Sequence, residues 1–286
     1  MSHCTELQII ERIHEYRTPA LDAFFTFLNY FDRQEFLFVL IPSFWLIKGW
    51  KTGLRLYYIL FLSNLVNHAL KQIFESPRPF HLDAALGIIQ VKGYGFPSGG
   101  AQTVVLLSCI LLQNWKSPWK WPVAITYILF VSFSRVYLGV HFPTDILGGW
   151  VVGFALWAIY AYSQPRLENQ LKKWTAPQLF LLSQAVPLLL IGLQNTPSVI
   201  SISGSAMGMG MGIFLNHTYG WSLSASRTLK TSILRAAIGV IGIFACYYLL
   251  GKMPIPYMAK FMLLGLWTAT GSTLLCRRWK ISATQV

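Results

Sequence analysis

The chain has 286 residues, of which 54% are hydrophobic and only 12% are charged, and its mean hydropathy is +0.49. Soluble domains carry about twice this charged fraction, so the composition argues against an ordinary soluble protein. A net charge of +13 would suggest nucleic-acid binding in a soluble chain. Here the basic residues lie mainly in short loops between apolar segments, so we expect no nucleic-acid partner.

Ten apolar segments follow one another along the chain. They lie near residues 19–31, 35–49, 54–72, 99–114, 121–138, 144–163, 177–194, 198–216, 232–251 and 256–276. Their hydrophobicity is continuous rather than alternating, which favours membrane helices over a β-barrel. The first segment is short and either spans the membrane or lies in its interface. The sequence therefore predicts an all-α, polytopic membrane helical bundle.

Most of the positive charge lies in every second loop, and these loops share one side of the membrane. They and the adjoining segment ends hold 14 of the 23 Lys and Arg residues: Lys48, Lys51, Arg55, Lys116, Lys120, Arg166, Lys172, Lys173, Arg227, Lys230, Arg235, Arg277, Arg278 and Lys280. The positive-inside rule assigns this side to the cytoplasm. The opposite, extracytoplasmic face then collects Lys71, Arg78, Ser98, Arg135 and His141.

A polar break at 164–176, QPRLENQLKKWTA, interrupts the apolar pattern. It predicts a core over 1–165, a cytoplasmic linker over 166–176 and a C-terminal membrane extension over 177–286. The extension contains the run GSAMGMGMG at 204–212, and small residues at this spacing are typical of closely packed membrane helices.

Two polar segments precede the fourth apolar segment. Lys71 ends the third apolar segment, and prolines on both sides of Arg78 hold the backbone extended there. Either cation alone would also suit contact with lipid headgroups. In FPSGG, residues 96–100, Ser98 is a natural N-cap, and the glycines allow an anion to reach free backbone N–H groups. An ordinary helix cap has the same pattern.

A third polar segment, SRVYLGVHFPTD at 134–145, contains a histidine and an aspartate four residues apart. Asp145 is spaced to accept a hydrogen bond from one nitrogen of His141. Such a bond fixes the tautomer and leaves the other nitrogen free to attack, although His–Asp pairs at helix starts also serve structural roles. Arg135 adds a third cation on the same membrane face.

Together these segments resemble the type 2 phosphatidic acid phosphatase and vanadium haloperoxidase superfamily, whose motifs are K-x6-RP, PSGH and SR-x5-H-x3-D. The first motif matches from Lys71 to Pro79 and the third from Ser134 to Asp145. The second matches over 97–99, but Gly100 replaces the family histidine. The resemblance covers roughly residues 20–165. It implies a six-helix phosphatase core, here followed by about four additional C-terminal transmembrane helices.

The resemblance implies that His141 is a nucleophile forming a phosphohistidine and that Asp145 orients it. It also implies that the phosphoryl group is held by Lys71, Arg78, Ser98, Gly99 and Arg135. Phosphoryl transfer requires positioning and stabilisation of negative charge, which cations and a helix N-terminus provide. No carboxylates are spaced for Mg²⁺, so we expect a metal-independent reaction without a cofactor.

Gly100 removes the residue that protonates the leaving oxygen in the family that this chain resembles. A missing general acid lowers a rate by about 10²–10⁴-fold, and three explanations remain open. Another residue replaces the acid, the leaving group is the weakly basic phosphate of a diphosphate, or the protein binds phosphate lipids without hydrolysing them. The candidate replacement acids are His81, Asp83 and Tyr94, with Gln102 as a further nearby donor.

We therefore expect an integral-membrane phosphatase acting on a lipid phosphate or diphosphate, with a polyprenyl diphosphate favoured by Gly100. The main alternative is a non-hydrolytic phosphate-lipid binding or transport protein, which the four extra helices would suit. Haloperoxidase chemistry and hydrolysis of a water-soluble ester, as in glucose-6-phosphatase relatives, are further alternatives. The expected partner is a membrane lipid substrate, without an obligate protein partner. The expected location is the bacterial inner membrane, with the site facing outward.

Overall fold

A computed structural model describes residues 3–281, and each of the ten predicted apolar segments is helical in it. No strand occurs within this range. The α-helices are α1 (His3–His14), α2 (Pro19–Leu28), α3 (Gln34–Lys48), α4 (Trp50–Phe74), α5 (Pro79–Leu82), α6 (Gly99–Asn114), α7 (Lys120–Tyr137), α8 (Pro143–Leu171), α9 (Ala176–Leu193), α10 (Pro197–Thr218), α11 (Leu229–Gly251), α12 (Tyr257–Leu266) and α13 (Ser272–Arg278). Short 3₁₀ turns cover Asn29–Asp32 and Ala84–Leu86, and a π-helical turn at Trp267–Gly271 joins α12 to α13.

The helices identify an integral membrane protein. Over residues 3–281, the four helices α8 to α11 are long and apolar enough to cross a membrane, and α6 is a shorter apolar helix. The remaining predicted spans are shorter or more polar helices. Large apolar side chains are exposed along α9 and α11; Leu193 is 83% exposed and Ile241 68% exposed. Such surfaces are suited to contact with lipid rather than water.

The first compact unit comprises residues 3–36 and 62–165. One of its apolar clusters contains Ile10, Ala101, Phe142 and Ile146, which come from α1, α6 and both sides of the α8 start. Helices α6 and α8 approach closely where α8 has glycines. A Cβ at Gly149 would lie 2.6 Å from the Ser98 carbonyl oxygen, and one at Gly153 would lie 2.5 Å from that of Gln102. This contact brings the starts of α6 and α8 together.

The second compact unit comprises residues 37–61 and 166–281. Arg55 forms a two-point ion pair with Glu168, with N–O distances of 2.5 and 2.7 Å. The glycine-rich run at 204–212 lies on α10, where it packs against α12. A Cβ at Gly204 would lie 2.7 Å from the Met258 carbonyl oxygen. The interpretation of this run as a helix-packing surface therefore agrees with the structure.

Each compact unit is built from two stretches that are not continuous in the sequence. Residues 37–61 belong to the unit that contains the C-terminal helices, and residue 165 ends the first unit. The hydroxyl of Tyr57 donates to the Ile202 carbonyl at 2.6 Å, which accounts for part of this association. Helix α8 continues through Pro165 to Leu171, so residues 166–171 of the predicted linker are helical.

Candidate active site

The connection between α7 and α8 holds the histidine and aspartate of the third motif in direct contact. Nδ1 of His141 lies 3.2 Å from Oδ2 of Asp145, and the same oxygen accepts from the Phe142 backbone N–H at 2.9 Å. His141 is 2% exposed and Asp145 is 1% exposed. Asp145 is therefore held by two neighbours and fixes the orientation of the imidazole ring.

Arg78 contacts the opposite nitrogen of the same ring. Its Nη1 lies 3.2 Å from Nε2 of His141 and 2.8 Å from the Val140 carbonyl oxygen. A guanidinium has donors only, so Nε2 accepts in this contact. In the neutral ring the proton then lies on Nδ1, facing Asp145. The lone pair of Nε2 thus points toward the cationic side of the site.

The electrostatic surroundings favour the neutral ring. Burial lowers the pKa of His141 well below its usual value, because a desolvated imidazolium is unfavourable. The positive charges of Arg78, Lys71 and Arg135 lower this pKa further, in that order of size. All three cations of the sequence motifs therefore act on one imidazole.

Backbone carbonyls of the segment 92–95 orient two of these cations. Nζ of Lys71 donates to the carbonyls of Tyr94 at 2.6 Å and Gly95 at 3.0 Å. Nε of Arg78 donates to the Gly93 carbonyl at 2.7 Å. Gly93 has a φ of 80°, a conformation that favours glycine. The segment thus determines where both charged groups lie.

The 3₁₀ turn that follows α2 positions the third cation, Arg135. Its Nη1 donates to Oδ1 of Asn29. The residue is 2% exposed, so its charged group is held within the first unit rather than in solvent. Lys71, Arg78 and Arg135 thus come from three separate segments, and the positive charge of each lowers the pKa of His141.

A buried polar network supports the start of α6. The Ser98 hydroxyl accepts from the Ala101 N–H at 3.4 Å, and the Ser98 N–H donates to the Asp145 carbonyl at 2.9 Å. A Cβ at Gly99 would lie 3.1 Å from Oδ1 of Asn67. The Asn67 amide donates to Oε1 of Gln102 at 3.0 Å. The predicted phosphate-binding turn is therefore tied directly to the helix that carries Asp145.

The candidate replacement acids differ in their surroundings. Nδ1 of His81 accepts from the Arg78 N–H at 3.2 Å, which places this exposed ring next to the site. Asp83 accepts from the Ala85 N–H at 2.9 Å and so caps its own turn. The charge of Glu75 raises the pKa of Tyr94, which makes its hydroxyl a weaker acid. Of the three, His81 is the one whose side chain bonds to Arg78.

Gln102 does not serve as a free donor. Its Nε2 donates to both the carbonyl and the hydroxyl of Ser63, at 2.8 and 2.7 Å, and its Oε1 accepts from Asn67. The side chain is 1% exposed. Both ends of the amide are therefore engaged in the network beneath α6.

Comparison with known proteins accounts for these motifs. The sequence model of the PAP2 superfamily matches residues 52–168, and that of the PAP2 superfamily phosphatase transmembrane extension matches residues 200–284. Phosphatidylglycerophosphatase B of Bacillus subtilis is 30% identical over 154 residues, covering 49% of this chain and 73% of that protein. This chain belongs to the PAP2 superfamily. The activity that this membership supports is hydrolysis of phosphoric esters.

Two other relatives match a larger share of the chain. An undecaprenyl-diphosphatase of Sulfolobus acidocaldarius is 26% identical over 171 residues, covering 58% of this chain and 81% of that protein. Dihydrosphingosine 1-phosphate phosphatase YSR3 of Saccharomyces cerevisiae is also 26% identical. That alignment runs over 261 residues and covers 80% of this chain and 62% of that protein.

Several residues around the candidate site have no motif signature in the sequence. Asn67 and Asn29 contact motif residues through side-chain amides, and Gly95 lies so close to Asp145 that a Cβ would be 3.0 Å from its Oδ2. Asparagine and glycine are common in loops and helices, so only the folded geometry identifies them. Gly95 lies two residues before the second motif, and this nearness is the sequence feature that could have indicated its place beside the site.

The described part of the chain contains no cluster of metal-binding side chains at the candidate site. Among residues 3–281, no three His, Cys, Asp or Glu side chains come together in a group that could hold a metal ion. Asp145 is directed toward His141 and Phe142 instead. The charge-stabilising groups around His141 are the three basic side chains.

Proposed function

We propose that this chain removes phosphate from a membrane lipid phosphate or diphosphate by way of a phosphohistidine at His141. The observation that carries the proposal is the pair of contacts to the His141 ring. Nδ1 faces Asp145 at 3.2 Å, and Nε2 faces a donor of Arg78 at 3.2 Å. A neutral imidazole held in this way presents a lone pair to the place where an anion would be bound by cations.

In the first step, the lone pair of Nε2 forms a bond to the terminal phosphorus. The bond from phosphorus to the leaving oxygen breaks, and its electron pair remains on that oxygen. The ring becomes positively charged as it is phosphorylated. The Asp145 carboxylate beside Nδ1 stabilises this charge, as a carboxylate does for imidazolium in other His-based catalysts.

In the second step, water attacks the phosphorus of the phosphohistidine. The P–N bond breaks, the electron pair returns to Nε2, and both protons of the water leave with the phosphate. The His141 ring is thereby restored to its neutral form with the proton on Nδ1. Lys71, Arg78 and Arg135 stabilise the oxygens in both steps, so the proposed reaction requires no metal.

Gly100 is the reason for favouring a diphosphate substrate. The oxygen that leaves a diphosphate belongs to a phosphate and is far less basic than the alkoxide that leaves a monoester. Its departure therefore depends less on a general acid. An undecaprenyl-diphosphatase among the relatives supports a polyprenyl diphosphate, and the phosphatases of lipid monophosphates support the broader lipid class.

We further propose that the site faces the extracytoplasmic side of a bacterial inner membrane. The support is the charge distribution, because 14 of the 23 Lys and Arg residues fall on the other side of the predicted topology. A cysteine-free variant with a single cysteine at Gln90 or at Lys173, both exposed, would report each side by its labelling with an impermeant thiol reagent in intact cells.

Phosphate release from purified protein tests the proposed reaction. Substrates are a polyprenyl diphosphate, the matching monophosphate and phosphatidic acid, each assayed with and without a chelator. We expect the diphosphate to react fastest and the chelator to have no effect. His141→Ala should retain less than about 1% of the activity, as expected for loss of a nucleophile. His217→Ala, a histidine of the second unit, is the matched control and should remain active.

Three results would count against parts of the proposal. Equal or faster release from phosphatidic acid would remove the leaving-group argument. Loss of activity in chelator would contradict a reaction without metal. Transfer of the lipids between leaflets without any phosphate release would favour the binding or transport alternative.

A further inference from the structure

The helix that carries Asp145 lacks a cap of its own. Helix α8 starts at Pro143, so Phe142 occupies the N-cap position, where Ser, Thr, Asp or Asn usually accepts from an N–H of the first turn. A phenylalanine side chain has no acceptor. Oδ2 of Asp145 already receives the Phe142 N–H and faces His141. The N–H of Thr144 therefore requires an acceptor from elsewhere in the fold.

Glu6 of α1 supplies this acceptor across 138 residues of sequence. Its Oε1 accepts from the Thr144 N–H at 2.9 Å, and its Oε2 lies 3.4 Å from Nδ1 of His3. The residue is only 8% exposed. A buried carboxylate is costly unless it is hydrogen-bonded, and a helix N-terminus is a favourable place for its negative charge.

Two further contacts hold α1 against the same loop. The ring of His3 stacks on that of Phe142, with centroids 4.4 Å apart and planes inclined by 24°. Ile10 is fully buried and belongs to the apolar cluster of Phe142 and Ile146. The N-terminal helix therefore packs against residues on both sides of the α8 start.

We propose that Glu6 is a positioning residue for phosphoryl transfer, acting as the N-cap of α8 from a separate helix. By fixing Thr144, it fixes the first turn of α8, and Asp145 is the next residue. Asp145 in turn orients the His141 ring. This inference rests on the proposed function, because it assigns Glu6 a part in the same reaction without contact to substrate.

Two substitutions of similar size separate hydrogen bonding from charge. Glu6→Met removes the acceptor, and Glu6→Gln keeps a carbonyl oxygen for the Thr144 N–H while removing the charge. Glu11→Ala, on an exposed position of the same helix, is the matched control. We expect kcat to fall about tenfold or more in Glu6→Met with KM nearly unchanged, because small misplacements of reacting groups are costly. Glu6→Gln should recover most of the wild-type kcat, and Glu11→Ala should equal wild type.

The inference is overturned if folded Glu6→Met has wild-type kcat, if only KM changes, or if Glu6→Gln is as impaired as Glu6→Met. Should Glu6→Met not fold, Glu6→Asp gives the same decision, because its shorter chain withdraws the oxygen from Thr144. Wild-type kcat in folded Glu6→Asp would then overturn it. Absence of phosphate release from the wild-type protein would instead reject the proposed function. Active wild type with unaffected Glu6 variants would reject only the positioning role.

Discussion

The His141 ring is an acceptor at one nitrogen and a donor at the other. Arg78 has only N–H groups to offer, so its contact of 3.2 Å requires the lone pair on Nε2. The 3.2 Å contact on the other side assigns the remaining proton to Nδ1. Burial and nearby positive charge both stabilise this neutral state. In the proposed reaction, Arg78 would turn its N–H groups to the bound phosphate and release this lone pair for attack.

The lowered pKa of His141 predicts the pH range in which the ring becomes charged. Because its pKa is lowered below the usual 6.5, the ring should stay neutral as pH falls through 6.5 and gain a proton only in more acidic solution. Titration of histidine ring signals by NMR in detergent, with His141→Ala to assign the resonance, measures this. The acid limb of kcat/KM that belongs to this ring should also lie below pH 6.5. A His141 midpoint at or above 6.5 would contradict the account.

Residues of the motifs could be predicted from the sequence because each carries an unusual chemical group at a fixed spacing. The groups that hold them could not. Lys71 and Arg78 are oriented by main-chain carbonyls of residues 92–95, and any residue type has a carbonyl. In the sequence, Glu6 is one of several charged residues in a polar N-terminal segment. Only the fold shows that it accepts a hydrogen bond from the Thr144 N–H.

At the scale of elements, the site is built at helix ends. Motif residues lie at the end of α4, the start of α6, the end of α7 and the start of α8, and the glycine contact between α6 and α8 joins two of these ends. Apolar segments and caps predicted these helices and several of their boundaries. The α8 start is different, because its capping oxygen comes from α1 and no local pattern in FPTD indicates it.

The turn from α7 to α8 contains a position that tolerates only glycine. Gly139 has a φ of 68°, and a Cβ there would lie 1.7 Å from the Leu86 carbonyl oxygen. Gly139→Ala should therefore lower stability by about 2 kcal/mol or more and displace His141, with loss of activity. Thermal unfolding in detergent and phosphate release measure the two effects.

Gly192→Ala is the matched control for this substitution. Gly192 lies on α9 with open space around the added methyl group, so the variant should keep both stability and activity. An active Gly139→Ala protein with unchanged thermal stability would show that the turn is less constrained than its backbone indicates.

At the scale of the whole molecule, ten apolar segments predicted a polytopic helical protein, and the PAP2 membership and the helices bear this out. The grouping of residues 37–61 with the C-terminal helices could not be predicted from the sequence. It depends on long-range contacts such as the Arg55–Glu168 ion pair and the Tyr57–Ile202 hydrogen bond. Such pairs leave no periodic signal, because either partner alone is an ordinary helix residue.

The chain carries its candidate chemistry and its glycine-rich packing surface in different compact units. All motif residues belong to the first unit, and the tight contact of α10 with α12 belongs to the second. The family match over 52–168 contains all the motif residues, and the match over 200–284 lies in the second unit. The proposed hydrolysis therefore depends on residues of the first unit, and substitutions there are the ones that test it.

Trapping of the covalent intermediate tests the central claim most directly. Purified protein is mixed with a polyprenyl diphosphate labelled with ³²P in its terminal phosphate, quenched within milliseconds in alkali and separated from lipid. We predict protein-bound label that survives alkali, is released by acid and maps to His141. The label should be absent from His141→Ala and present in His217→Ala. Equal labelling of His141→Ala, or label mapping to another residue of an active protein, would contradict the account.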